Sequence, residues 1–221
     1  MRPVVDGAHD VERRDGKPDP DADINWYEAV LYSNARSKKE GLDTAYTYSM
    51  ILYDIGETRL YFDALENVQL VQAANGYRMP LETEWEYACK AGVPHTFDYY
   101  WQSGSAGDYA WYSANSSQYM FIKTKLPNNF GLYDMAGNVE EMCSNILGDY
   151  NYSSSTKTDP MMSGKVPSSS LSSDRPIRRG GAYNSDVNEL RSAYVSFGIS
   201  DSEMRKKRSY VGFRVVRLVK E

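Results

Sequence analysis

The sequence predicts an α+β fold built from two helices, short strands and long loops. Two segments carry helix caps, at residues 25–41 and 82–92, and an apolar run over residues 211–218 is typical of a buried strand. The serine-rich residues 150–176 lack any hydrophobic period and predict a long loop. We find no internal repeat and no linker, so we expect one domain over residues 24–221.

Composition excludes several classes of protein. The chain has 221 residues, 41% hydrophobic and 25% charged, which is typical of a globular domain. Lys and Arg number 25 against 30 Asp and Glu, for a net charge of -5. Nucleic-acid binding needs a basic surface, so we expect no nucleic-acid partner. No apolar run approaches the ~18 residues of a membrane span, and the first residues lack the apolar core of a signal peptide.

The first helix is predicted from Asn25 to about Lys39, after an extended, polar N-terminal segment over residues 1–23. The Asn25 side chain can accept a hydrogen bond from an early backbone N–H, and Glu28 stands three residues later, as in a capping box. Gly41 is placed to end the helix. The spacing predicts one shared, apolar face for Trp26, Ala29, Val30 and Ser33.

The second helix is predicted over residues 82–90. Thr83 and Glu86 have the spacing of another capping box, and Gly92 is placed to end the helix. Between the helices, residues 44–72 contain strand-like runs such as residues 46–52.

The rest of the chain predicts short strands and loops. Residues 93–128 hold aromatic clusters among Gly, Ser and Asn but no long periodic segment. Residues 190–197 alternate in part, and residues 211–218 read as a buried strand that ends the domain.

Chemistry that depends on Cys or His has few residues available. His9 and His95 are the two histidines, which disfavours a His-rich metal site and a Ser-His-Asp hydrolase. Cys89 and Cys143 are the two cysteines, and we interpret them as buried thiols. Tyrosine, in contrast, occurs 19 times and suits either half-buried core positions or a recognition surface.

Four segments of the sequence, in a fixed order, form a recognisable pattern. The first is Asn25–Val30. The second is Gly76–Ala88, with Gly-Tyr-Arg-Met-Pro and Glu-Trp-Glu-Tyr-Ala, and the third is Pro127–Val139, with Asn-Asn-Phe-Gly-Leu-Tyr-Asp-Met-Ala-Gly-Asn-Val. The fourth is the ending, with Arg179–Gly181, Leu190–Ala193 and Gly212–Val215. Together they resemble the formylglycine-generating enzyme or sulfatase-modifying factor domain. The resemblance covers about residues 24–217 and implies an elaborated C-type lectin fold.

The sequence departs from the enzymes of this family where their chemistry lies. The copper-dependent members oxidise a substrate cysteine with a pair of cysteines in the segment after the Gly-Gly motif. Here that segment is residues 182–191, which contain no cysteine, and thiolate is the soft ligand that Cu(I) prefers. We therefore expect no catalysis, and the alternative is an oxidase relative that has lost activity with its cysteine pair.

The ending also resembles the variable proteins of diversity-generating retroelements, among them the Treponema variable protein, which share this fold. Adenine-directed mutagenesis rewrites their C-terminal segment and yields Asn, Tyr, Ser and Asp. This resemblance implies a variable region over residues 178–217 and a ligand-binding surface, named here the C-terminal face. Its ten residues are Tyr183, Asn184, Ser185, Asp186, Asn188, Tyr194, Ser196, Phe197, Ser209 and Tyr210. The alternative is an ordinary polar loop.

A structural Ca²⁺ is a further expectation from the resemblance. Some family members hold the ion at positions that match Asp134, Gly137, Val139 and Glu141, and the two carboxylates are the hard oxygen ligands that Ca²⁺ requires. A turn that hydrogen-bonds to itself is the alternative. Glu140 and Met142 stand in place of the two tryptophans of the family motif.

Taken together, the sequence predicts a monomeric, non-catalytic, receptor- or adhesin-like bacterial protein that recognises an unknown protein or glycan surface. It requires no cofactor apart from the Ca²⁺ considered above. The resemblance to variable proteins implies a cell-surface or extracellular location, with a lipoprotein anchor as one means of attachment.

Overall fold

The computed structural model describes residues 3–5, 20, 22–55, 60–146, 175–197 and 204–219. The predicted serine-rich loop falls almost entirely outside these residues. Within the described part, no helix is both long enough and apolar enough to cross a bilayer.

The centre of the fold is a four-stranded sheet whose order is β8-β7-β6-β9. Strand β6 spans Glu140–Ile146, β7 spans Pro176–Arg179, β8 spans Val195–Phe197 and β9 spans Val211–Phe213. The pairs β6–β7 and β7–β8 are antiparallel, whereas β6 and β9 are parallel. Strand β8 therefore lies at one edge of the sheet, and β6 runs through its middle.

The two helices are confirmed, and they contribute to two buried clusters of side chains. Helix α1 spans Trp26–Lys39 and helix α2 spans Glu82–Lys90. Trp26 of α1 belongs with Met142 of β6 to the first cluster, and Trp85 of α2 belongs with Cys143 to the second. Because Met142 and Cys143 are successive residues of one strand, their side chains point to opposite faces of the sheet.

The capping box predicted for α1 is confirmed, whereas the one predicted for α2 is wrong. Asn25 and Glu28 form the expected capping box, with both hydrogen bonds at 2.9 Å. For α2, the acceptor at the cap is Glu84, which receives the backbone N–H of Leu81 at 2.8 Å. The predicted partner, Glu86, instead forms an ion pair with Arg179.

Small antiparallel pairs surround the central sheet. Strand β2 (Tyr46–Thr47) pairs with β5 (Gln69–Leu70), and β3 (Met50–Ile55) pairs with β4 (Leu60–Glu66). The strand predicted at residues 46–52 is thus two short strands. A one-turn helix, α3 (Ala106–Tyr109), lies in the loop-rich middle of the chain.

The C-terminal strand is also divided. Strand β9 ends at Phe213, and β10 (Val216–Leu218) pairs with β1 (Pro3–Val5), so the N-terminal segment contributes a strand. The break coincides with Arg214, whose guanidinium is buried and directed into the second cluster.

Arg214 forms a deeply buried ion pair with Glu141 on β6. The guanidinium donates from Nε and Nη2 to the two carboxylate oxygens, and both side chains are at most 5% exposed. Glu141 also accepts a hydrogen bond from Trp85 Nε1 at 2.6 Å. The Nη2 atom of Arg214 further donates to the carbonyls of Tyr133 and Asp134 at 3.2 and 3.4 Å.

Arg179 forms a second buried ion pair on the same side of the sheet. Its guanidinium is paired with Glu82, at 2.6 Å, and with Glu86, both on α2. The Coulombic attraction of these carboxylates raises the pKa of Arg179 against the opposing effect of burial. The second helix is therefore attached to the sheet by charge as well as by apolar packing.

We predict that Glu141→Gln destabilises the fold strongly. The change leaves the Arg214 guanidinium buried without a countercharge, which typically costs about 3–5 kcal/mol. Chemical denaturation of the variant and the wild type measures the difference in unfolding free energy.

The matched control is Lys207→Ala. It removes the ion pair between Lys207 and Glu28, in which the lysine side chain is 48% exposed. An exposed pair contributes at most about 1 kcal/mol. Equal effects of the two substitutions would contradict the assignment of Arg214 and Glu141 as the central pair.

Candidate functional site

All ten residues of the C-terminal face reach the surface, and none belongs to the buried core. Five are exposed: Asn184, Asp186, Asn188, Phe197 and Ser209. Five are partly exposed: Tyr183, Ser185, Tyr194, Ser196 and Tyr210. Their side chains are accessible, although several also take part in local hydrogen bonds.

Two of these residues contact Glu140, at the start of β6: Ser196 bonds to its side chain and Tyr210 to its backbone N–H. The hydroxyl of Ser196 donates to Glu140 Oε1 at 2.6 Å, and Arg178 Nη1 lies 3.4 Å from Oε2. The backbone N–H of Glu140 donates to the carbonyl of Tyr210 at 2.8 Å. Glu140 therefore connects β8, β7 and the residues before β9.

Tyr183 extends this group across the face. Its backbone N–H donates to the carbonyl of Asn138 at 2.9 Å, and its hydroxyl lies 3.4 Å from that of Ser209. Residues from two distant parts of the C-terminal region thus meet side by side.

A second group forms around a single 3-10 turn, Val187–Leu190. Asp186 caps this turn by accepting the backbone N–H of Asn188 at 2.9 Å, and the side chain of Asn188 donates to the same oxygen. The hydroxyl of Tyr194 donates to Glu189 at 3.1 Å. Partial burial and this hydrogen bond raise the pKa of Tyr194, so the phenol stays neutral at physiological pH.

Arg179 bonds to the backbone of the second group. Its Nη1 donates to the carbonyls of Ser192 and Tyr194 at 2.8 and 2.7 Å. Gly181 has φ of +70°, and a Cβ there would lie 2.8 Å from the side chain of Leu190. The buried guanidinium and the tight glycine turn fix where the surface residues stand.

Aromatic residues from the middle of the chain adjoin the face, and sequence reasoning did not place them there. The hydroxyl of Tyr99 donates to the carbonyl of Val187 at 3.3 Å. Trp101 stacks between Tyr99 and Tyr109, with ring centroids 4.5 and 5.5 Å apart. The clusters are visible in the sequence, but only the contact with Val187 shows where they lie.

Both thiols are buried in the second cluster of side chains and lie outside residues 182–191. Burial raises the pKa of Cys89 to about 12 and the pKa of Cys143 well above its ordinary value. Both are therefore neutral thiols at physiological pH, and neutral thiol is a poor ligand for Cu(I).

The four residues expected to hold Ca²⁺ do not fit that ion as they are arranged. Both oxygens of Glu141 are occupied by Arg214, whose positive charge takes the place of a cation. The carboxylate of Asp134 accepts the backbone N–H of Lys123 at 2.7 Å, and burial raises its pKa. Gly137 donates its N–H to Gly180, and Val139 is buried in the same turn. This arrangement corresponds to the alternative of a turn held by protein hydrogen bonds.

No three His, Cys, Asp or Glu side chains of the described part of the chain are grouped so as to hold a metal ion. The cationic partner of Glu141 lies 73 residues further along the chain, so the local sequence does not reveal it. The Ca²⁺ itself stays a prediction.

Known structures resemble this fold over nearly its whole length. Treponema denticola variable protein 1 superposes with a TM-score of 0.72 and 28% identity, over 96% of this chain and 75% of that one. PvdO from Pseudomonas aeruginosa superposes with a TM-score of 0.63 over 91% of this chain and 63% of that one. Its 20% identity shows similarity of fold alone. The predicted C-type lectin type of fold is confirmed.

Curated relatives match part of the sequence. "Chaperone protein LppX" of Paenibacillus barcinonensis is 32% identical over 58% of this chain and 52% of its own length. "Formylglycine-generating enzyme" of Streptomyces coelicolor is 31% identical over 58% of this chain and 43% of its own length. The matched part thus spans about half the length of these two relatives.

The family itself is matched from one end of the domain to the other, over residues 4–219, and its description is "Sulfatase-modifying factor enzyme 1-like domain". Together with the fold, this match confirms the resemblance carried by the four sequence segments. The chain belongs to the family of sulfatase-modifying factor enzyme 1-like domains.

Proposed function

We propose that this protein is a non-catalytic receptor or adhesin whose C-terminal face binds a protein or glycan surface. The observation that carries the proposal is that all ten predicted residues are at least partly exposed, beside buried contacts made by Arg179 and Glu140. A surface of adaptable side chains on a rigid base can change its chemistry while the fold beneath it stays the same.

The composition of the face supports recognition of another macromolecule. Tyrosine supplies a large contact area at a low cost in conformational entropy, and Ser, Asn and Asp supply adaptable hydrogen bonds. Substitutions at exposed positions usually change the unfolding free energy by only about 0.5 kcal/mol. The face is thus suited to diversification, and the similarity to a protein named for its variability supports that interpretation.

The alternative function is copper-dependent oxidation, favoured by the 31% identity to the formylglycine-generating enzyme. It requires thiolates at the reaction centre. Cys89 and Cys143 are 0% exposed and belong to the packed interior, so neither can reach a substrate without local unfolding. This burial favours the binding function.

We also propose that the protein acts as a monomer at the cell surface or outside the cell. The name LppX belongs to a relative and describes that protein only. Protease treatment of intact cells, followed by detection of the domain, distinguishes a surface location from an internal one.

The first test replaces Tyr183 and Phe197 together by Ala. Both side chains are at least partly exposed, so the melting temperature should change little, while binding to a partner should fall by about tenfold or more. A partner is first isolated with the wild-type protein from extracts of surface proteins, and its affinity is then measured for each variant.

Tyr87→Ala is the matched control for this test. Tyr87 is 65% exposed on α2 and contacts Phe130, not a residue of the face. Equal binding by the wild type, the control and the double variant would contradict the proposed face. A steep loss of melting temperature in the double variant would show that Tyr183 and Phe197 stabilise the core.

The second test addresses catalysis directly. The copper-loaded protein is incubated with a cysteine-containing peptide, and oxygen uptake is recorded. Because both thiols are buried and neutral, we expect uptake no faster than with free copper. Uptake that is lost in Cys89→Ser or Cys143→Ser would overturn the non-catalytic assignment.

A further inference from the structure

A cavity lies next to the C-terminal face, on a segment outside the predicted variable region. Its volume is about 270 Å³, and it is lined by Gln118, Tyr119, Met120 and Phe121. Binding pockets for whole drug-sized molecules measure about 300–1,000 Å³, and a liquid water takes about 30 Å³. The cavity is slightly smaller than this range and has room for one large side chain.

Asn138 connects this cavity to the face. Its side-chain amide accepts the backbone N–H of Met120 at 2.9 Å and donates to the carbonyl of Met120 at 3.1 Å. Its own carbonyl accepts the N–H of Tyr183. One buried residue thus holds the cavity wall on one side and the first residue of the face on the other.

Further hydrogen bonds hold the cavity segment in place. Asp134 accepts the N–H of Lys123, and Thr124 Oγ1 donates to the carbonyl of Phe121 at 2.9 Å. Trp111 Nε1 in turn donates to Thr124 at 2.8 Å. A pocket fixed before binding loses little conformational entropy when it is filled.

The lining residues determine which chemical groups the cavity can bind. All four residues are uncharged, which disfavours a charged group because its desolvation would not be compensated. Phe121 and Tyr119 provide aromatic surface, Met120 provides a polarizable sulfur that packs well against rings, and Gln118 provides an amide. An aromatic ring with one polar tip satisfies each of these features. A sugar ring would need several convergent polar groups for its hydroxyls.

We propose that this cavity is a subsite that takes one uncharged aromatic side chain, Tyr or Trp, from a protein partner bound at the C-terminal face. The inference rests on the proposed function in that the partner must cover the face. It narrows the partner from a protein or glycan surface to a protein. It also divides the binding site into two parts. The C-terminal face lies in the predicted variable region, and the cavity lies outside residues 178–217 and would stay constant.

The test uses N-acetyl-tyrosinamide as the probe and methyl β-glucoside as the comparison compound, each titrated into the ¹⁵N-labelled protein. We expect saturable, millimolar binding of the tyrosine derivative, with amide shifts concentrated at residues 118–121, and no saturable shift with the glucoside. Phe121→Ala should weaken probe binding about tenfold while the melting temperature is kept, because this phenyl ring is 43% exposed.

Phe130→Ala is the matched control, since Phe130 is a phenyl ring of similar exposure, 50%, outside the cavity lining. It should bind the probe like the wild type, as should Tyr183→Ala, which perturbs the face alone. The subsite would be overturned by any of three results: no saturable binding of the probe, probe binding by Phe121→Ala equal to that of the wild type, or preferential binding of the glucoside. Partner binding that is unchanged in the Tyr183 and Phe197 double variant, together with intact probe binding by the wild type, would instead contradict the proposed function alone.

Discussion

The buried pair of Arg214 and Glu141 is the interaction on which the rest of the structure depends. It joins the central strand β6, the residue after β9, Trp85 of α2 and the turn at Tyr133. Desolvation of two charges is expensive, so such a pair stabilises the fold only if its remaining hydrogen-bonding groups are also matched. Here the indole supplies a partner to Glu141 and two backbone carbonyls supply partners to Arg214 Nη2, whereas the buried Nη1 atom has no hydrogen-bond partner within the residues that the structure describes. These contacts specify the geometry of four segments together.

This charged centre explains why the fold can present an irregular surface. Among the described residues, short strands and the 3-10 turn Val187–Leu190 underlie the C-terminal face, and such short elements are weak when isolated. Arg179 bonds two of their carbonyls and is itself paired with α2, so the surface is attached to a helix through one guanidinium. Order in the loops comes from buried polar contacts and not from extended secondary structure.

Sequence reasoning succeeded where the determining contacts are local. Asn25 and Glu28 are three residues apart, so the first capping box follows from spacing alone. Strand β6 was not recognised as the central strand, because Glu140 and Glu141 make it appear polar. Their countercharges, Arg178 and Arg214, lie 38 and 73 residues away. For the same reason the spacing of Thr83 and Glu86 predicts a helix cap, although Glu86 is paired with Arg179. The exposure of the C-terminal face could be anticipated because small polar residues between framework segments belong to surface loops, whereas the cavity depends on Asn138 joining distant segments.

The hydrogen bond between Ser196 and Glu140 restricts the chemistry of the surface above it. Glu140 is only 8% exposed, so its carboxylate depends on the donors that the protein supplies. A residue at position 196 that lacks a hydroxyl or N–H group would remove one donor from a largely dehydrated anion, and an acidic residue would add repulsion. The buried Glu140 carboxylate therefore restricts which residues can stand at position 196, whereas exposed positions of the face without such a contact can vary more widely.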